Sequence, residues 1–432
     1  MEKLALLGGT PVRKKKYPPH VTTGEEEKRE VLKVLEKGIL SAYEGANTEY
    51  FLGGEQAKTL EKTFEKRFKV KHAIAVNSAA SGLAVAVGAA GIGPGNEVIV
   101  TPWTMTATAA AILVNNAIPI FCDITEDTFN LDPAAIEKSI TEKTKAILVV
   151  HISGHPADMD EIMEVAREHD LIVIEDAAQV IGGLYKGKYT GTIGDLGVYS
   201  FNSNKIIQCG EGGMVVTDDD ELALRSRLIR NHAEAVIATG MKVKSLVNML
   251  GWNYRMNEIE AAIVQVQLRR LDGFLKKRRA LIDYLNRKLR SIDGITTPIV
   301  KKGCTHTYYQ YDLKIDKSKI PISVNLLLKA LNAEGMDFLP GYKPLYMQPL
   351  YQKMIVYGNR GCPFTCSFYG KKIKYTKGLC PTAESIYKRV ILTEAIRPSL
   401  GFRDMDEIYM ALRKVLDNID KLKKLDTREK WK

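Results

Sequence analysis

Seven short runs of almost uninterrupted apolar residues constrain this fold more than any other feature. They fall at 72–76, 97–100, 119–121, 146–150, 171–174, 197–201 and 214–217. A strand with one face in water alternates apolar and polar residues, so runs without alternation need cover on both faces. Helical segments separate them, such as 56–68 and the alanine-rich stretch ending at Ala90. This alternation predicts an α/β fold with a mostly parallel central sheet and crossover helices.

The rhythm changes near Asn257. Ile259, Ala262, Ile263 and Val266 lie at i, i+3, i+4 and i+7, which predicts one long helix running to Leu289 and bridging two domains. Beyond Gly294 the pattern reads as a strand over 307–315, a helix near 324–334, irregular chain to about 385, and a last helix carrying Leu412, Val415, Leu416 and Ile419. The expected organisation is an N-terminal arm with one helix (1–55), a large α/β domain (56–280) and a smaller C-terminal α+β domain (281–432). In the arm, Thr23 is the expected cap of a helix whose apolar face is Val31, Leu32, Val34 and Leu35.

Composition excludes several classes. No apolar run approaches the ~18 residues of a membrane span, and the first nine residues hold too short an apolar stretch for a signal peptide. The cytoplasm is the expected compartment. The formal charge is +11, yet the basic residues sit in short clusters such as 14–16 and 276–279, without interleaved aromatics. Nucleic acid is therefore not an expected partner; a solvated surface or phosphorylated small molecules fit better. The six cysteines form no C-x-x-C pair, which points to unpaired thiols and no metal centre.

The chemistry gathers around Lys205. It lies five residues after Ser200, between one strand and the glycine-rich turn Gly210-Glu211-Gly212-Gly213, which leads into the next strand. A lysine confined in this way is suited to holding the aldehyde of pyridoxal 5′-phosphate as a Schiff base. Asp176 ends a hydrophobic strand, at the edge where open α/β sheets gather ligands. A carboxylate there can keep a pyridine nitrogen protonated. Gln179, three residues on, could donate to the ring's phenolic oxygen. The small residues of the 77–82 turn open a helix, where backbone N–H groups bind anions.

These motifs resemble the DegT/DnrJ/EryC1/StrS sugar aminotransferases, pyridoxal-phosphate enzymes of fold type I. The resemblance covers nearly the whole chain. It is carried by Gly154-His155-Pro156-Ala157-Asp158-Met159-Asp160, Glu175-Asp176-Ala177-Ala178-Gln179, Ser200-Phe201, Lys205, Gly210-Glu211-Gly212-Gly213, Asn253-Tyr254-Arg255-Met256 and Cys380-Pro381-Thr382-Ala383-Glu384. It implies that Lys205 forms the internal aldimine, that Asp176 faces the pyridine nitrogen and that Gln179 touches the ring. Ser78, Ala79, Ala80 and Ser200 would hold the phosphate. Asn253 would reach the phosphate of a neighbouring subunit, making the active unit a homodimer with shared sites. Tyr342 and Tyr346 are candidate substrate contacts.

Three departures stand out. Ala79-Ala80 replaces the family's usual Gly-Thr, removing one hydroxyl. Met105 occupies the place of the ring-stacking aromatic, so either Met105 or Trp103 is expected to cover the ring. Residues 357–379, with Cys362 and Cys366, read as an insertion. The expected activity is transfer of an amino group from glutamate or glutamine to a keto sugar, foremost a nucleotide-linked keto-hexose, through a pyridoxamine phosphate intermediate. A cyclitol ketone such as an inosose is the alternative acceptor. A deoxysugar dehydratase of this fold would carry histidine in place of Lys205, and a non-catalytic regulator would bind cofactor without turnover.

Overall fold

The computed structural model describes residues 2–428; Met1 and residues 429–432, the outermost parts of the expected arm and C-terminal domain, lie outside them. The seven apolar runs form one sheet, in the spatial order His72–Val76, Gly213–Thr217, Leu196–Ser200, Ile172–Asp176, Thr144–Val150, Glu97–Val100 and Ile118–Phe121. Every neighbouring pair is parallel except those made by Gly213–Thr217, which is antiparallel to both its neighbours. Its inner strands are buried along almost their whole length, as the unbroken apolar runs require.

This topology brings six strand C-termini to one edge. The segments that follow them, including Ser78, Thr101 to Thr108, Asp176 to Gln179 and Asn202 to Lys205, therefore converge there. Gly213 begins the antiparallel strand at the same edge. A Cβ on Gly213 would lie 2.7 Å from the Ala79 amide nitrogen, so only glycine lets the lysine turn approach the helix Ala79–Ala89 this closely.

The long helix spans Glu258–Leu289, 32 residues or about 48 Å, and feeds two separate cores. Leu268, Leu271 and Leu275 pack with Phe64, Phe68 and Tyr199. Leu281, Ile282, Leu285 and Leu289 pack with Tyr311, Leu313, Leu327 and Leu412. The second core supports an antiparallel sheet of Ile295–Thr296, Tyr311–Ile315, Val390–Thr393 and Leu339–Pro340. Arg278, buried near the middle of the helix, donates to the carbonyls of Tyr308 (2.8 Å) and Tyr309 (3.3 Å).

Two features of the arm differ from expectation. The cap of the helix Glu25–Lys37 is Gly24, not Thr23: its N–H donates to Glu27 Oε2 at 2.7 Å, so a carboxylate one turn inside serves where a hydroxyl was expected. The helix also buries Val34 and Glu27 while Leu32 and Leu35 stay 55% and 50% exposed. Its inward face is set by Glu27, whose carboxylate meets Gln267 (2.5 Å) and Arg270 (2.8 Å) of the long helix. Residues 357–379 contain no helix or strand. They are anchored on the large sheet through Tyr369 Oη to Glu97 Oε1 and Tyr375 Oη to the Pro119 carbonyl, both 2.8 Å. Among the described residues no helix is long and apolar enough to cross a membrane.

Candidate active site

Lys205 hangs from a turn rather than from a strand. Its N–H donates to the Asn202 carbonyl (2.9 Å), and its own carbonyl accepts from His20 Nε2 (2.9 Å) of the N-terminal arm. The side chain enters a pocket of about 490 Å³, within the ~300–1,000 Å³ of small-molecule and cofactor sites. Its amine lies 4.0 Å above the centre of the Tyr309 ring. Burial pushes the amine's pKa down to about 8, against the raising influence of the Asp176 and Glu394 carboxylates.

Asp176 forms the floor. Burial raises its pKa, opposed by hydrogen bonds from Thr108 Oγ1 (2.9 Å) and the Ala178 amide (3.1 Å) and by the charge of Lys205. No cation lies within ion-pair distance of it among the described residues. A buried carboxylate held by neutral donors, near the Lys205 amine but in no ion pair, suits a cationic ligand atom. The adjacent Glu175 points away from the pocket. It collects the amides of Gly191, Ile193 and Gly194 at 2.6–2.7 Å, and His151 Nε2 at 2.8 Å. The Ala157 amide donates to His151 Nδ1, so the Nε2 proton faces Glu175. This network fixes the strand end that presents Asp176.

Ser78, Ala79 and Ala80 line the wall beside Lys205. Ser78 caps the helix Ala79–Ala89 by accepting from the Ser81 amide. The amides of Ala79 and Ala80 thus sit at a helix N-terminus, where no intrahelical acceptor exists. Ser200 is buried and lines the same pocket. Gln179 Oε1 accepts from the Ser153 amide (2.6 Å), and its Nε2 donates to Tyr342 Oη (3.3 Å). Amine, buried acid and anion-binding turn together fit pyridoxal phosphate: an aldehyde, a ring nitrogen and a phosphate each meet a matching group.

Two expected site residues lie elsewhere. Trp103 is 2% exposed and does not line the pocket; its indole packs under Gly341 and edge-on to Tyr342 at 6.1 Å. Met105, 56% exposed, stands at the pocket instead. Tyr346 is fully buried away from the pocket, donating to Glu384 Oε1 (2.5 Å) and accepting from the Cys380 amide (3.2 Å). Asn253 is exposed outside the pocket, where an expected role at a neighbouring subunit's site would leave it, with Oδ1 accepting from Arg255 Nε (2.8 Å).

The pocket also holds residues the sequence reading missed: Thr108, Asn204, Tyr309, Gln310 and Glu394. Thr108 lies in the first turn of the helix Thr106–Val114, which follows the strand Glu97–Val100 at the ligand edge; that position was its signal. Tyr309, Gln310 and Glu394 flank strands of the second sheet and had none.

Residues 25–375 match the model of the DegT/DnrJ/EryC1/StrS aminotransferase family. GDP-perosamine synthase of Caulobacter vibrioides is 40% identical over 294 residues, 67% of this chain and 77% of that protein. The L-glutamine:scyllo-inosose aminotransferase of Streptomyces griseus is 31% identical over 427 residues, covering 96% and 98%. Among solved structures, DesV of S. venezuelae in complex with a ketimine intermediate superposes with a TM-score of 0.73 at 30% identity, covering 90% and 94%.

Proposed function

The chain belongs to the DegT/DnrJ/EryC1/StrS aminotransferase family, and on that premise we propose that it uses pyridoxal 5′-phosphate to move an amino group from glutamate or glutamine to a keto sugar. The observation that carries this reading is Lys205 and buried Asp176 in one pocket beside a helix N-terminus. When bound, pyridoxal phosphate supplies an electrophilic carbon for amines and an electron-accepting ring.

The residues have separate tasks. Asp176 holds the ring nitrogen protonated, and Thr108 keeps its carboxylate aimed. The amides of Ala79 and Ala80, with the Ser78 and Ser200 hydroxyls, bind the phosphate. With the cofactor bound, Gln179 would contact the ring's oxygen and Met105, at the pocket mouth, would cover its face. Lys205 Nζ, uncharged in an appreciable fraction near neutrality because burial lowers its pKa, takes the proton from the donor's α-carbon. It later delivers a proton to the carbon that carried the acceptor's ketone. Tyr342 lines the substrate side.

Asn253, exposed outside its own pocket, reaches the phosphate in the neighbouring subunit of a homodimer. Leu32, Leu35, Ile39 and Leu40, each about half exposed on the arm, supply apolar area for that contact. Analogy with GDP-perosamine synthase, over 67% of this chain, offers a nucleotide-linked keto-hexose as one acceptor. The similarity to an inosose aminotransferase, over 96% of this chain, offers a cyclitol ketone as the other.

Borohydride reduction of the loaded protein should attach the cofactor covalently to Lys205. Lys205→Ala should lose that adduct by mass spectrometry; an undiminished adduct would overturn the assignment.

A further inference from the structure

The protein carries a formal charge of +11, yet the pocket is lined by three carboxylates, Asp176, Glu211 and Glu394, against one amine, Lys205. Neither arginine nor histidine appears among its described lining residues. In the reading above, Asp176 and Lys205 are committed to the cofactor. Glu211 is exposed and accepts from Asn202 Nδ2 at 2.9 Å. That leaves Glu394.

Glu394 follows the strand Val390–Thr393 directly, so the second sheet delivers it to the wall of a site built mainly by the first. Its Oε1 accepts from Gln310 Nε2 (2.9 Å) and Tyr309 Oη (3.2 Å). Its Oε2 meets only a distant approach from Asn204 Nδ2 (3.5 Å). Neutral donors orient the carboxylate without cancelling its charge. Arg397, three residues on, donates to the Glu394 backbone carbonyl (2.9 Å) and forms no ion pair with the carboxylate. The polar wall continues from Gln310 to Tyr342 Oη (3.1 Å) and on to Gln179 (3.3 Å). An oriented carboxylate with acceptor capacity to spare, in a row of neutral hydrogen-bonding groups, is suited to reading hydroxyls.

We propose that Glu394 is the specificity-determining residue for the amino acceptor, accepting hydrogen bonds from ring hydroxyl or ammonium groups of an uncharged or cationic polyhydroxy ketone. This rests on the aminotransferase reading of Lys205 and Asp176. Such a wall disfavours acceptors that bring an anionic group against Glu394. Substrates lacking the matching hydroxyl leave Glu394 Oε2 with only the 3.5 Å approach of Asn204 and are discriminated against.

The test separates the two half-reactions by cofactor absorbance. The pyridoxal form is mixed with glutamine or glutamate. The pyridoxamine form is mixed with scyllo-inosose or with a nucleoside-diphosphate-linked keto-hexose. Wild type should take scyllo-inosose in preference to the nucleotide-linked sugar. Glu394→Gln should raise the half-saturating inosose concentration by at least about tenfold, leave the limiting rate within about threefold, and change the half-saturating glutamine concentration far less than that of inosose, with only the pH midpoint of the glutamine half-reaction moving lower as Lys205 loses a neighbouring carboxylate. Glu394→Asp, which retains the charge, should recover part of the loss. The proposal is overturned if both half-reactions fall in parallel, if inosose saturation does not move, or if wild type accepts only the nucleotide-linked sugar. Absence of any spectral change with amino donors in the wild type would instead defeat the aminotransferase reading, and this proposal with it.

Discussion

At Lys205 two effects oppose each other: burial favours the free amine, while Asp176 and Glu394 favour the ammonium. Burial wins, and the pKa falls from 10.5 to about 8. The nucleophile is the deprotonated form, so cofactor uptake by the cofactor-free protein should speed up as pH rises. It should level off just above pH 8 rather than climbing past 10. Uptake rates followed by absorbance across pH 6–11 would check this, and a midpoint above 10 would contradict it. In Glu394→Gln the midpoint should move lower still, since one ammonium-stabilising charge is lost. Asp176 was readable from its place at a strand end. Thr108, which aims it, was harder to see because threonine is equally at home capping a helix.

Among the elements, the helix Glu25–Lys37 teaches most. Its sequence offers four aliphatic residues for an inward face, yet a charged residue decides which face turns in. Glu27 caps Gly24 and joins Gln267 and Arg270. Glu27→Ala would remove these bonds together. Thr22's carbonyl still accepts from both Gln267 and Arg270, so the expected loss is about 2 kcal/mol rather than the ~3–5 kcal/mol of a fully orphaned buried charge. Urea unfolding of the cofactor-free protein would measure it; a change below about 0.5 kcal/mol would mean the helix docks by apolar contact alone. The helix Ala79–Ala89 is the contrasting case, since its start was legible from the small residues after an apolar run.

Over the whole molecule, the exposed Asn253 and the half-exposed leucines of the arm belong to one expectation, a dimer with shared sites. Lys205→Ala and Asn253→Ala homodimers should each be poorly active. Co-expressed, they should form hybrids in which one site keeps both residues, recovering up to about a quarter of wild-type activity by random pairing. Size-exclusion chromatography with tagged subunits would isolate those hybrids, and hybrids no more active than either parent would refute sharing.

What the sequence determined by itself is local and periodic: unbroken apolar runs dictate a doubly covered, mostly parallel sheet, and its strand ends place Asp176, Gln179 and the 77–82 turn at one edge. Lys205 was legible for the same reason, since the glycine-rich turn and the next strand bracket it in the chain. The tertiary structure alone decided which aromatic residues are walls and which are foundations. Trp103 lies beneath Gly341 and Tyr346 beside Glu384, contacts with segments far along the chain that no short period encodes. It also decided that the second sheet swings Tyr309, Gln310 and Glu394 over Lys205. The depth of a side chain in a pocket depends on how two separately formed cores dock, and docking leaves no repeat in either stretch of sequence.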